Sequence, residues 1–173
     1  MKKIFLVTIA ALLMSPKLFA AIHVVEQVDL NRFIGTWYEI ARNPIIFEPK
    51  CACAQQKLGQ LDTNTVSVYN SCNVGSIGGK LSEIRGTATP VDGLSSKLAV
   101  DFGFFWKGDY WVIALDPEYK YAVVTDRFGY SLYILSKTPT LDSALYAKAL
   151  ASAETQVKTD RLVVTPQEGC TYP

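Results

Sequence analysis

A length of 173 residues with 49% hydrophobic side chains and no low-complexity stretch is one domain's worth of chain and excludes a disordered segment. A formal net charge of +1 leaves no basic stripe for nucleic acid. His23 is the only histidine, so a multi-histidine metal site is impossible and a Ser-His or Cys-His pair has no credible base.

In chain order, Met1 to Ala20 read as a secretory signal. Lys2 and Lys3 supply the positive end, Ile4 to Met14 the apolar middle, and Leu18-Phe19-Ala20 the cleavage site. The apolar run is too short to be read as a membrane span. No Cys follows the cleavage point, so the residue that would carry a lipoprotein's anchor is missing there. The predicted mature chain, residues 21–173, is a single exported and soluble domain, periplasmic or secreted. Its net charge is −2, because the signal takes away Lys2, Lys3 and Lys17 and no acids. Cys51, Cys53, Cys72 and Cys170 all lie in the exported part, where disulfides persist.

Val28 to Ile34 predict a single helical turn, and Gly35 then opens a first strand with a tight bend. β-patterned runs follow over Thr36–Arg42, Ala52–Gly59, Thr65–Asn73, Leu81–Thr89, Lys97–Phe102, Asp109–Asp116, Tyr121–Asp126 and Tyr130–Ser136. Turn residues separate them: Asn43-Pro44, Asp62-Thr63-Asn64, Gly75 to Gly79, Pro90 to Gly93, Gly103, Asp116-Pro117 and Phe128-Gly129. The loops are too short for βαβ crossovers. The expected fold is all-β, an eight-stranded antiparallel up-and-down barrel, whose closure removes the exposed edges. Such a barrel holds one small ligand or is filled by side chains, and pattern does not choose between the two.

Leu141 to Val157 predict one α-helix, capped by Thr140, with Asp142 complementing the dipole in its first turn. Tyr146, Ala149, Leu150, Ala153 and Val157 form an apolar stripe that packs on the outside of the barrel. Arg161 to Thr165 read as a last short strand.

The octet Gly35-Thr36-Trp37-Tyr38-Glu39-Ile40-Ala41-Arg42 resembles the first signature of the lipocalins. Thr125-Asp126-Arg127 is similar to the second signature and Tyr133 to Pro139 to the third. Tyr110 to Asp116, followed by Glu118-Tyr119, resembles the sixth strand of the bacterial lipocalins and the apolipoprotein D group. The resemblance runs from about Val28 to Cys170. It implies a closed end built on Gly35, Trp37 and the cation of the third signature. That cation is normally Arg and is Lys137 here. Lysine can make a cation–π contact but cannot stack as a plane, so the closed end is expected to be kept yet less firmly locked.

With the Trp37 end closed, the loops after strands one, three, five and seven surround the mouth. Two of these are apolar for surface segments: Ile45-Ile46-Phe47 and Phe104-Phe105-Trp106. They read as a ligand entrance with transient membrane contact. The alternatives are that they fold inward and plug the barrel, or meet a partner or a second copy in a homodimer. Lys50 and Lys107 flank them, placed to hold an anionic headgroup or simply solvated.

The same resemblance implies pocket positions at Leu58, Asn70 and Tyr133. Strand period adds Ala54, Gln56, Val66 and Val68 to the inner face, and Phe104 and Trp106 join the ligand set from the mouth. An apolar lining with a few hydrogen-bonding groups suits a fatty acid or lysophospholipid. The function this implies is an exported carrier of a small amphipathic lipid, serving envelope lipid maintenance. No cofactor is expected, since Gly75 to Gly79 lack the Lys-Ser/Thr pair and helix of a phosphate loop. Asp116 and Glu118 read as a solvated turn rather than an acid pair, and the chain is not expected to be an enzyme. The alternative is a filled barrel with a protein-interaction role or a thiol-dependent, isomerase-like one, for which Cys72 is the residue to watch. The apolipoprotein D resemblance implies a Cys53–Cys170 bridge. Cys51 and Cys72 then remain as the second pair, with a Cys51/Cys53 swap left open. Strand parity turns Cys72 inward and Cys51 outward, so a direct bridge needs a bulge.

Overall fold

The computed structural model describes residues 21–45, 50–103 and 107–173. Residues 1–20, read from sequence as a signal, and the apolar loop residues Ile46, Phe47, Phe104, Phe105 and Trp106 lie outside the described residues. The order of elements is α1 (Leu30–Phe33), β1 (Gly35–Arg42), β2 (Cys51–Gln60), β3 (Val66–Val74), β4 (Leu81–Val91), β5 (Leu94–Asp101), β6 (Lys107–Leu115), β7 (Tyr121–Thr125), β8 (Leu132–Ser136), α2 (Ser143–Glu154) and β9 (Val163–Val164). Each strand from β2 to β8 pairs antiparallel with the next, and β1 pairs with both β8 and β2. That double pairing closes an eight-stranded barrel, with β9 an extra rung on β1.

Side chains alternate between two cores. Trp37, Leu58, Val68, Leu98, Val112 and Val124 pack inside the barrel with Phe33 from α1. Ala41, Ile113, Val123, Leu132 and Ile134 face outward under α2, which lays Ala149, Ala153 and the following Val157 on them. α2 is shorter than its apolar stripe. Its cap is Asp142 rather than Thr140: the Asp142 carboxylate accepts from the backbone N–H of Ala144 (2.9 Å) and Leu145 (3.3 Å), which starts the helix at Ser143. β5 begins at Leu94 rather than Lys97, because Asp92 (φ +55°) and Gly93 (φ +71°) make a two-residue hairpin turn between Val91 and Leu94. Tyr130 belongs to the turn before β8, not to the strand.

Two bulges matter most. On β2 the register slips between Ala52 and Gln55, where Cys53 takes φ +54°. The slip sets Cys51 opposite Val74, on the same face as Cys72, so the parity conflict read from strand period disappears. Cys51 is bonded to Cys72 and Cys53 to Cys170. No cysteine is free, which removes the thiol on which an isomerase-like role depends.

On β1 the register slips between Glu39 and Ala41. β1 therefore pairs with β2 only over Gly35 to Tyr38, and its second half belongs to β8 and β9. The C-terminal tail fills the resulting gap. Cys53 N–H donates to Pro166 O (2.8 Å), and Gln167 Nε2 donates to Glu39 O (2.7 Å) and Ala54 O (2.8 Å). Glu39, Arg42, Thr165 and Gln167 are all buried there. Arg42 Nε lies 3.1 Å from Glu39 Oε1, which also accepts from Thr165 Oγ1.

The two bridges close loops of very different length, 117 and 21 residues. Removing Cys53–Cys170 as a double serine variant should cost about 4–5 kcal/mol and Cys51–Cys72 about 3 kcal/mol in the chain-entropy model. Urea unfolding of the two double variants checks the order; equal losses would show that loop length does not set the difference.

Candidate functional site

The closed end is built on Trp37. Gly35 (φ +102°) turns the chain out of α1 in a conformation that favours glycine. Trp37, fully buried, then donates from Nε1 to Phe33 O (2.7 Å), and its ring lies 4.9 Å from that of Phe33. From the end of β8, Lys137 sets its ammonium 4.3 Å from the centre of the Trp37 ring. The same Nζ donates to Phe33 O (3.2 Å) and Ile34 O (2.8 Å). These carbonyls close α1, so the lysine takes up orphan acceptors at a helix end as well as facing the indole. Burial pushes the Lys137 ammonium down from its ordinary 10.5 to about 8.

Around Phe33 and Trp37 the barrel is packed. Leu58, Val66, Val68, Ala88, Leu98 and Val112 are all buried in one cluster. Gln56 and Tyr110 then reach across the lumen from opposite walls. The Tyr110 hydroxyl on β6 donates to Gln56 Oε1 on β2 (2.9 Å), and the Tyr110 ring meets Phe33 edge-on. Burial raises the Tyr110 phenol above its ordinary 10, so it stays a donor at neutral pH. Asn70 is the cross-strand neighbour of Gln56 and of Ile84. Its Oδ1 is buried with no hydrogen-bond partner among the described residues.

Toward the mouth the inward face changes character. Register places Ser82 and Ile84 on the inner face opposite Cys72 and Asn70, yet Ser82 is exposed and Ile84 is 40% exposed. Tyr133, near the mouth end of β8, is half-buried, as are Gln56, Asn70 and Phe102. Among the described residues, the inner wall is thus packed at its closed end and keeps accessible surface in its outer half.

Of the residues read from sequence as ligand-lining, Leu58, Val66 and Val68 sit in the packed layer. Gln56 and Asn70 mark its upper boundary, and Tyr133 stands nearer the mouth. Ala54 is buried at the tail seam, where its carbonyl accepts from Gln167. Phe104 and Trp106 lie outside the described residues. Ile45 is half-buried, Lys50 is exposed, and Lys107 pairs with Asp101 (3.2 Å). The Asp116 carboxylate accepts from the N–H of Glu118 and Lys120, a closed turn. Two features escape the sequence reading. Tyr110 shares the parity of Val112 and so was findable from period alone. The Glu39–Arg42 pair depends on the β1 bulge, which strand period does not report.

A family model described as a lipocalin-like domain matches residues 28–167. Among characterised relatives, a putative lipocalin, R877, of Acanthamoeba polyphaga mimivirus is 34% identical over 139 residues, covering 75% of this chain and 79% of that one. Bovine apolipoprotein D is 30% identical over 155 residues (84% and 80%). Outer membrane lipoprotein Blc of Escherichia coli K12 is 33% identical over 141 residues (80% and 78%). Among solved structures, insecticyanin from Manduca sexta superimposes with a TM-score of 0.72 over 89% of both chains at 21% identity. Lobster apocrustacyanin A1 does so with 0.68 over 82% and 81% at 19%. At such identities these two speak to the fold alone.

Replacing Lys137 with Ala should destabilise the protein by about 1–2 kcal/mol through the lost cation–π contact and carbonyl bonds. Between pH 8 and 10.5 the unfolded chain holds more protons at this site than the native one, so stability rises with pH across that window. Lys137→Arg, charged in both states, removes that term. Wild type should therefore gain on Lys137→Arg between pH 8 and 10.5 in urea titrations. A difference that stays flat means the ammonium is not desolvated.

Proposed function

This chain belongs to the lipocalin family, and we propose that it binds a fatty acid or lysophospholipid in the outer half of its barrel and carries it outside the cytoplasm. The family is in general one of binding proteins rather than enzymes. The observation that carries the reading is the two-part lumen: a packed, hydrogen-bonded floor at Gln56 and Tyr110 beneath an inner wall that keeps accessible surface at Ile84 and Tyr133.

The wall above the floor is mainly apolar, and each methylene buried there gains about 0.8 kcal/mol before ordering costs. Ten methylenes would give roughly 8 kcal/mol gross, the equivalent of about 1 μM before those costs, so micromolar binding takes a longer chain or the polar group as well. At the floor, Asn70 has a buried terminal atom whose hydrogen bond is unmet. That oxygen is an acceptor, so a ligand that brings a hydroxyl donor, as a lysophospholipid or a protonated carboxyl does, meets the need, and a plain hydrocarbon does not. Single-chain amphipaths fit both requirements. Ile45 and the apolar loop residues Ile46, Phe47, Phe104, Phe105 and Trp106 serve as the entrance and touch membrane transiently as ligand passes.

Two disulfides fit an oxidising compartment, and the relatives include a protein named as an outer membrane lipoprotein. Both support an exported carrier acting in envelope lipid maintenance, with residues 1–20 as its signal and 21–173 as the single working domain.

The test is saturable uptake of a fluorescent fatty acid by the purified protein. Tyr133→Glu should weaken it at least tenfold by placing a carboxylate against the acyl chain, with the β-rich circular dichroism spectrum retained. Asn70→Leu should cost a lysophospholipid, whose hydroxyl can donate, about 3–10-fold and a fatty-acid methyl ester less, the difference of one hydrogen bond. Absence of saturable uptake of any acyl probe overturns the carrier reading.

A further inference from the structure

We propose that the floor of the lumen selects a neutral polar group: the buried end of the ligand is a hydroxyl, a primary amide or a protonated carboxyl, and any ionised group stays at the mouth. The inference rests on the carrier reading and names the chemical class that its site takes.

Three side chains meet at the floor. Gln56 and Asn70 are direct cross-strand partners on β2 and β3, both half-buried on the inner face. Tyr110 reaches Gln56 from β6, and that bond occupies only the amide oxygen, with the phenol donating to Oε1 at 2.9 Å. Gln56 Nε2 makes no hydrogen bond to a described residue, and neither end of the Asn70 carboxamide makes one. Polar pairs on this ladder do satisfy each other elsewhere. One step along, on the outer face, Gln55 Nε2 donates to its partner Ser71 Oγ (3.2 Å). Gln56 and Asn70 do not, so their capacity is left facing the lumen. A carboxamide carries two N–H donors and a carbonyl acceptor, and the pair therefore offers hydrogen bonds of both senses.

No unanswered charge accompanies these dipoles. Below the rim, among the described residues, the charged side chains on the inner face are Glu39, Arg42 and Lys137. Glu39 and Arg42, cross-strand from Leu135 and Tyr133, answer each other at 3.1 Å and are both buried. Lys137 stands beyond the Trp37 ring, its ammonium on the indole face and on the carbonyls of Phe33 and Ile34. The Tyr110 phenol, raised by burial, is neutral at neutral pH.

An ionised carboxylate brought to this floor would leave water for dipoles without a counter-charge, which disfavours the charged form. A hydroxyl or an amide has far less hydration to lose and finds both a donor and an acceptor. Charge, rather than the number of hydrogen bonds, makes the distinction, since the two carboxamides can donate to a carboxylate as well as to an amide.

Competition against N-phenyl-1-naphthylamine, a neutral fluorescent probe, tests this with decanol, decanamide, decanoic acid and methyl decanoate. At pH 8 decanol and decanamide should displace the probe at least tenfold more effectively than decanoate. From pH 6 to pH 8, above the ordinary carboxyl range, the acid should weaken at least tenfold while decanol stays level. Gln56→Leu with Asn70→Leu should bring decanamide down to the level of methyl decanoate and keep the affinity for the probe. Decanoate that equals decanol at pH 8 overturns the proposal and leaves the carrier reading standing. A fall with pH that decanol shares belongs to the protein and overturns it too. So does a Gln56/Asn70 variant that binds the probe as wild type does and keeps the full advantage of decanamide. Should that variant not fold, the wild-type series decides alone. If the probe and all four ligands fail to bind, the carrier reading itself is rejected and this inference falls with it.

Discussion

The bend in β1 sets the rest of this barrel. This strand pairs with β2 along one edge over Gly35 to Tyr38 and with β8 along the other over Tyr38 to Arg42. The register slip between Glu39 and Ala41 divides the work, and three consequences follow. Ala41 swings outward to meet α2's packing layer, while Arg42 turns to the face of Tyr133. A seam opens between β1 and β2 above Tyr38 and Gln55. The C-terminal tail enters that seam and is held by backbone bonds, by Gln167 and by Cys53–Cys170. Burying Glu39 and Arg42 carries a desolvation cost, which the close ion pair and the Thr165 hydroxyl offset. The tail is thus part of the wall.

The floor is organised on a different principle. Its polar groups are satisfied in pairs: the Trp37 indole and the Lys137 ammonium both end on carbonyls of α1, and Tyr110 ends on Gln56. Satisfied groups packed among apolar side chains give a rigid plug. Asn70 lies just past that layer and keeps capacity unspent. On the carrier reading proposed above, stability and recognition are therefore separated by depth within one lumen. Leu58 and Val68 belong to the first and Tyr133 to the second, though all point inward.

Sequence pattern carried the barrel, the outside helix and the order of elements, because period 2 and period 3.6 are read directly from apolar spacing. It failed where the backbone departs from period. Cys51 appears on the wrong face until the bulge at Ala52–Gln55 is known, and Glu39 and Arg42 look like ordinary strand neighbours until β1 bends. Asp142, judged a dipole partner, is the cap itself, since Thr140 lies two residues too early to reach Ala144 N–H. The depth of each inward residue was equally hidden. Alternation tells which side a residue faces but not whether the lumen is full at its level, so Val66 and Tyr133 read alike from sequence although one is buried in packing and the other keeps accessible surface.

Fixity is distributed around the mouth in a way that suits passage of a ligand. Both disulfides start within the first three residues of β2, directly after the loop that follows β1. One runs to β3 and the other to the tail, so this quarter of the wall is covalently tied on both sides. On the β7–β8 side, Asp126 and the Arg127–Asp109 pair do the same with hydrogen bonds. Opposite sides of the rim are therefore fixed by independent means, which keeps the barrel round when ligand leaves and apolar wall is uncovered. On the proposed carrier reading, a barrel so framed has no need to open its strands to exchange a ligand, and exchange depends on what surrounds the mouth rather than on the wall.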